Sequence, residues 1–182
     1  MINRTSTDYE IKIFRTREEI LAAADLFQPF QRHPNADIEL YLSRFDDPPG
    51  CARPCAIAVL HEGQAAGVLL GISHPLPFEL GMGFKTLLRP KVRMLNIPPG
   101  GIQGAETHEA AEALMGTILT LLRQREVDVV RLFDIDEDSP VAVAAGHQPP
   151  FYCRDHTPWS SQHFGLVMPE SMDIFYNRLK RK

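Results

Sequence analysis

Gly100-Gly101-Ile102-Gln103-Gly104-Ala105 stand after Pro98-Pro99 and before a long amphipathic stretch, and the chain then returns as Val127-Asp128-Val129-Val130-Arg131-Leu132-Phe133. A glycine-rich turn that opens a helix carries free backbone N–H groups and partial positive charge, and glycine lets the backbone approach an anion closely. These six residues are therefore the candidate cofactor-binding set, with a phosphate group as the ligand. The same pattern also serves as an ordinary turn in an α/β domain. Glu106 and Glu109 at the helix start complement its dipole, but they repel a bound pyrophosphate.

Candidates for proton transfer lie elsewhere. His74 and Glu79 stand near the rim of the predicted central strands, where either is a candidate general base. Tyr152, in a proline-rich connection with Trp159, is a general-acid candidate. Each also has a plain structural role, as a strand-edge side chain or as a cover for the core. Asp134, Asp136, Glu137 and Asp138 follow a strand end and read as solvated loop acids, not as a metal cluster. Cys51, Cys55 and Cys153 are odd in number and make no disulfide framework. None of them stands at a zinc-binding spacing from His147, His156 or His163, so no metal is expected. Reduced thiols and the lack of an apolar signal core in the first residues predict a cytoplasmic protein.

Three familiar catalytic patterns are excluded by their missing parts. Gly71-Ile72-Ser73-His74-Pro75 has proline where a nucleophile elbow needs its second glycine, and no helix follows. Gly100–Thr107 carries no lysine after Gly104, so it is no P-loop. The glycine spacing and the preceding Pro98-Pro99 also differ from a dinucleotide-binding fingerprint.

The elements that must position these groups follow from hydrophobic period and punctuation. Ile11 and Ile13 alternate with polar residues in a short strand. Thr16 and Glu19 form a capping box ahead of a helix whose buried face is Ile20, Ala24 and Phe27. Asn35 is expected to cap a second helix carrying Ile38, Tyr41, Leu42 and Phe45. Cys55–His61 and Ala65–Ser73 are strands joined through Glu62-Gly63-Gln64, and their continuous apolar character demands cover on both faces. Phe78–Phe84 and Thr86–Ile97 are further strands. Thr107–Arg125 is the strongest helix, with Ala111, Leu114, Ile118 and Leu121 on one face. Val127–Phe133 is a buried strand, and Ser139-Pro140 starts a helix that Gly146 ends. His163–Met168 reads as a late strand. Ser171 caps a last helix whose Met172, Phe175 and Leu179 form an apolar stripe, expected to meet a partner. The fold class is mixed α/β, a mostly antiparallel central sheet flanked by helices.

Composition bounds the rest. The chain has 182 residues, 44% hydrophobic and 23% charged, enough for one domain with a full core. A net charge of −4 gives no basic field for nucleic acid, and no apolar run is long enough to span a bilayer.

The opening strand with Thr16-Arg17-Glu18-Glu19-Ile20, the hairpin from Ile57 to Val68 and the glycine turn before the long helix together resemble the GNAT acyltransferase superfamily. Within it, Pro98-Pro99-Gly100-Gly101 and the Ser171–Leu179 helix resemble the tandem, Fem-like branch of cellulose-biosynthesis-type acetyltransferases. The resemblance implies an acyl-CoA N-acyltransferase with acetyl-CoA or another acyl-CoA as cosubstrate and an amine as acceptor. It also implies a second GNAT-like half or a homo-dimer as partner, and an ending at Lys180-Arg181-Lys182 suits the first half of such a pair. The superfamily's acyl-CoA loop usually reads Gln/Arg-x-x-Gly-x-Gly/Ala. Here Gly101–Ala105 supplies the small residues, without Arg or Gln at the expected offset. A degenerate lobe that binds a partner or a polysaccharide-synthesis component is the alternative.

Overall fold

The computed structural model describes residues 9–45, 51–77, 79–82, 84–156 and 158–160. The expected strand at 163–168, the helix from Ser171 and its apolar stripe lie outside the described residues.

Strand β1 (Tyr9–Phe14) leads to helix α1 (Arg17–Ala22), a short α2 (Ala24–Phe27) and α3 (Ile38–Ser43). The Thr16 capping box is formed: Glu19 N–H donates to Thr16 Oγ1 and Thr16 N–H donates to Glu19 Oε2, each at 3.2 Å. The cap of α3 is Asp37, whose carboxylate accepts from Leu40 N–H at 2.7 Å. Asn35 stands two residues earlier, in a 3-10 turn (Pro34–Ala36), with its side-chain amide donating to the carbonyl of Pro99 at 2.9 Å.

The predicted hairpin is present as β2 (Arg53–His61) and β3 (Gln64–Pro77). Glu62 and Gly63 both take positive φ, the conformation that a two-residue hairpin turn requires. A small hairpin of β4 (Leu80–Met82) and β5 (Lys85–Leu88) follows, then β6 (Lys91–Ile97) and β7 (Ile102–Gly104). Helix α4 (His108–Arg123), strand β8 (Val129–Leu132) and helix α5 (Pro140–His147) follow among the described residues. Gly146 lies inside α5 and does not end it; at the exposed end of a short helix its cost is small.

The main sheet runs β1-β2-β3-β6-β8, antiparallel except for the parallel β6–β8 pair, with β7 also on β3. The mixed α/β class and the mostly antiparallel sheet agree with the reading of the sequence. The β2–β3 hairpin is covered on both faces, as its apolar run demands. On one face Ala56, Ala58, Val68 and Leu70 pack under Ile20, Phe27, Tyr41 and Leu42 of the N-terminal helices. On the other, Ile57, Val59, Leu69 and Leu95 pack under Ala111, Leu114 and Ile118 of α4.

One side chain enters the sheet itself. Tyr41, fully buried, donates from its hydroxyl to Gly71 O at 2.7 Å and accepts from Cys55 N–H at 3.0 Å. Cys55 and Gly71 are register partners, so the phenol occupies a rung of the β2–β3 ladder. Burial raises the phenol's pKa, and it pushes the adjacent Cys55 thiol up to about 11.

The parallel register of β6 and β8 is pinned at its start. The Asp128 carboxylate accepts from Arg93 Nε at 2.9 Å, Nη2 at 2.7 Å and backbone N–H at 2.8 Å. Asp128 N–H donates to Arg93 O at 2.8 Å in return. The hydrogen bonds from Arg93 hold the Asp128 carboxyl down to about 2. A carboxyl with a depressed folded pKa stabilises above its unfolded value of about 4 and loses that contribution as pH falls through the folded one. Asp128→Asn is therefore expected to lower Tm at neutral pH, with the gap to wild type closing as pH falls from about 4 toward 2. Melting curves across that range check it, and a gap that stays constant would contradict it.

Candidate functional site

The residues of the glycine turn do not run straight into a helix. Ile72 of β3 faces Asn96, whereas Leu69 faces Ile102. Three steps along β3 thus correspond to six along the neighbouring chain, and the surplus, Pro98-Pro99-Gly100, is looped out as a bulge. Gly101 N–H closes the bulge on Pro98 O at 2.8 Å. His33 packs against Gly100, and Asn35 holds Pro99 from the side of the N-terminal helices.

The bulge reverses which backbone groups face β3. Leu70 N–H donates to Gly101 O at 2.7 Å and Ala105 N–H donates to Ala66 O at 2.8 Å. Alternation along the β7 ladder then directs Gln103 toward β3 and the N–H and C=O of Ile102 away from it. Strand β8 pairs with β6 only as far as Ile97–Leu132, with one more bond from Phe133 N–H to Ile97 O at 3.2 Å. Past that point the chain turns off through Asp134, at φ 47°, toward the cap of α5 at Ser139.

A cleft of about 230 Å³ opens between the outward edge of β7 and this departing segment. Its apolar walls are Ile97, Ile102, Phe133, Ile135 and Val141, and its polar lining includes Gln103, Asp134, Asp136 and Ser139. It sits beyond the carboxyl ends of two parallel strands, where open sheets generally take their ligands. The Gln103 side chain folds back to Gly100 O at 3.0 Å. Ser139 caps α5 by accepting from Ala142 N–H at 3.2 Å. The guanidinium of Arg131 lies 4.5 Å from the centre of the Phe133 ring and is not among the lining groups.

Gly100, Ile102, Gln103 and Gly104 line this cleft, while Gly101 and Ala105 are buried behind it. The proton-transfer candidates are placed apart. His74 lies on the opposite face of the sheet from α4, its Nε2 3.4 Å from the Asn96 side-chain amide. Its Nδ1 is buried without a partner, as is Asn96 Oδ1. Asn96 immediately precedes Ile97, so this pair flanks the point where the strands part. Glu79 is exposed and paired with Arg89 at 2.9 Å. Tyr152 is 85% exposed on a 3-10 turn (Phe151–Cys153). None of the three, His74, Glu79 or Tyr152, lines the cleft. Nothing in the sequence marks Asp134, Asp136 or Asn96 as functional. The two acids read as solvated loop residues, and no sequence pattern marks an asparagine that meets its histidine across a ladder.

The fit to an acyl-CoA is uneven. A neutral, extended thioester arm suits the outward edge of β7 and the apolar walls. The glycines themselves offer the pyrophosphate no cradle: a Cβ on Gly101 would lie 2.8 Å from Leu70 O, and one on Gly104 would lie 2.8 Å from Ala66 O, so the space beside them is filled by the chain itself.

No protein-family model and no curated protein matches the chain. Solved structures do. A ribosomal-protein-alanine N-acetyltransferase from Brucella melitensis biovar Abortus 2308 matches at 15% identity, over 87% of this chain and 99% of that one, with a TM-score of 0.45. An aminoglycoside acetyltransferase from an uncultured soil metagenomic sample matches at 15% identity, over 90% and 100%, with a TM-score of 0.47. A transcriptional regulator from Bacillus halodurans matches at 10% identity, over 88% and 99%, with a TM-score of 0.38. Scores and identities this low transfer no chemistry to this chain.

Proposed function

We propose that this chain is a GNAT-like N-acyltransferase domain that passes an acyl group from a thioester to an amine, with acetyl-CoA or another acyl-CoA as the cosubstrate implied by the sequence resemblance. The observation that carries this reading is the parting of β6–β7 from β8, which leaves the Ile102 backbone edge facing an apolar cleft. In the reaction the amine nitrogen bonds to the thioester carbonyl carbon, the C–S bond breaks, the nitrogen loses a proton and the thiol leaves. Ile102 N–H, fixed by the register of its neighbours, is the proposed donor to the carbonyl oxygen as negative charge develops there. His74 is the proposed base; it stands outside the cleft, five residues along β3 from Leu69, the register partner of Ile102, so the amine's proton would reach it through water. An Nε2 that accepts from the Asn96 amide leaves the ring proton on Nδ1, so the role requires the amide turned to place its unpartnered Oδ1 against Nε2–H, which frees the Nδ1 lone pair.

In the tandem, Fem-like branch this lobe would pair with a second acyltransferase-like half or with a second copy. The alternative reading, a degenerate lobe serving as an accessory module, is favoured by one observation, the close-packed glycine turn. Incubating the full chain with acetyl-CoA and pooled primary amines, followed by mass spectrometry, separates the two. The enzyme reading predicts an acylated amine, with turnover reduced by about 10²–10⁴-fold in His74→Gln. It also predicts turnover unchanged in Glu79→Gln and Tyr152→Phe. No product from any amine would leave the accessory module.

A further inference from the structure

We infer that this chain recognises its acyl donor through the pantetheine arm and not through the nucleotide end of CoA. The inference rests on the proposed reading that the cleft beside β7 receives a thioester arm.

An anion cradle needs several N–H groups converging on open space. Here Gly101 N–H is spent on Pro98 O and Ala105 N–H on Ala66 O, each at 2.8 Å, which leaves the glycine turn without converging donors and only the first turn of α4, beside Glu106 and Glu109, to supply them. Gln103 is directed to Val68 in the ladder. The volume beside Gly101 and Gly104 is occupied by backbone carbonyl oxygens, which repel an anion, and the volume beside Gly100 by the His33 ring.

Charge points the same way. Two carboxylates and no lysine or arginine line the cleft among the described residues. Glu106 and Glu109 are exposed at the start of α4, adding their charge to the helix end that a pyrophosphate would seek. Size agrees as well: a cleft of about 230 Å³ lies below the range of roughly 300–1,000 Å³ for pockets that enclose drug-sized ligands. It suits a narrow chain. An extended arm carrying neutral amides needs only an unpaired strand edge and apolar walls, and both are present.

Calorimetric titration of the full chain with S-acetyl-pantetheine and with acetyl-CoA tests this, at low and high salt and with adenosine bisphosphate as competitor. The expected result is two thioesters binding within about threefold of one another. Neither affinity should fall with salt, and adenosine bisphosphate should not compete. Acetyl-CoA binding more than about tenfold tighter, or losing affinity with salt, would overturn the inference while upholding the cleft. A selective loss of that advantage in Arg131→Ala would then place the phosphate site beside Phe133. Failure of both thioesters to bind would overturn the cleft reading, and this inference with it.

Discussion

Gly104→Val is expected to destabilise the whole chain and not merely to remove a ligand. Gly104 sits at φ +70°, and a Cβ there would lie 2.6 Å from a Phe30 ring carbon, 2.8 Å from Ala66 O and 3.0 Å from Gly67 Cα. The ring can shift, but the two backbone atoms belong to β3 and cannot. The left-handed conformation costs a residue with a Cβ about 1–2 kcal/mol. Overpacking adds about 1–3 kcal/mol. A loss of roughly 2–5 kcal/mol is a large part of the ~5–15 kcal/mol that holds a typical domain. The urea midpoint measures it. The phosphate-loop reading of the sequence leads instead to a folded variant that no longer binds CoA. A wild-type midpoint with binding lost would favour that reading over the packing seen here.

Tyr41→Phe is expected to lower Tm by roughly 2–12 °C. Removing the hydroxyl strands the Cys55 N–H and the Gly71 C=O inside the β2–β3 ladder, at a cost of about 1–3 kcal/mol for a buried unsatisfied group. For a chain of this size each kcal/mol corresponds to about 2–4 °C. The shape of the ring is kept, so the loss reports the rung and not a cavity. A Tm unchanged from wild type would show that the strands close over the gap and bond directly.

Periodicity carried most of the architecture. The β2–β3 hairpin was legible because its strands are apolar at every position and the Glu62-Gly63 turn is short. Helix α4 was legible because Ala111, Leu114, Ile118 and Leu121 repeat at helical spacing. The strand β7 was not. Its three residues, Ile102–Gly104, lie in a glycine-rich string that reads equally as a loop, and only pairing with Gly67–Leu69 makes them a strand. That pairing is non-local, so no window of sequence contains it. The same limit hid the site. Asn35 looks like a helix cap until Pro99 claims its amide from 64 residues away. Asp134 and Asp136 look like solvated acids until the splay of β8 brings them to a cleft.

The central claim is that the outward edge of β7 receives the thioester arm, and the Ile102 amide reports on it directly. Amide hydrogen exchange, followed residue by residue with and without saturating S-acetyl-pantetheine, separates the groups that already have partners from the one that acquires one. Gly101, Gln103 and Ala105 are committed within the chain and should exchange at unchanged rates. Ile102 should slow markedly. An Ile102 amide indifferent to the thioester, while the ligand is shown to bind, would contradict the account.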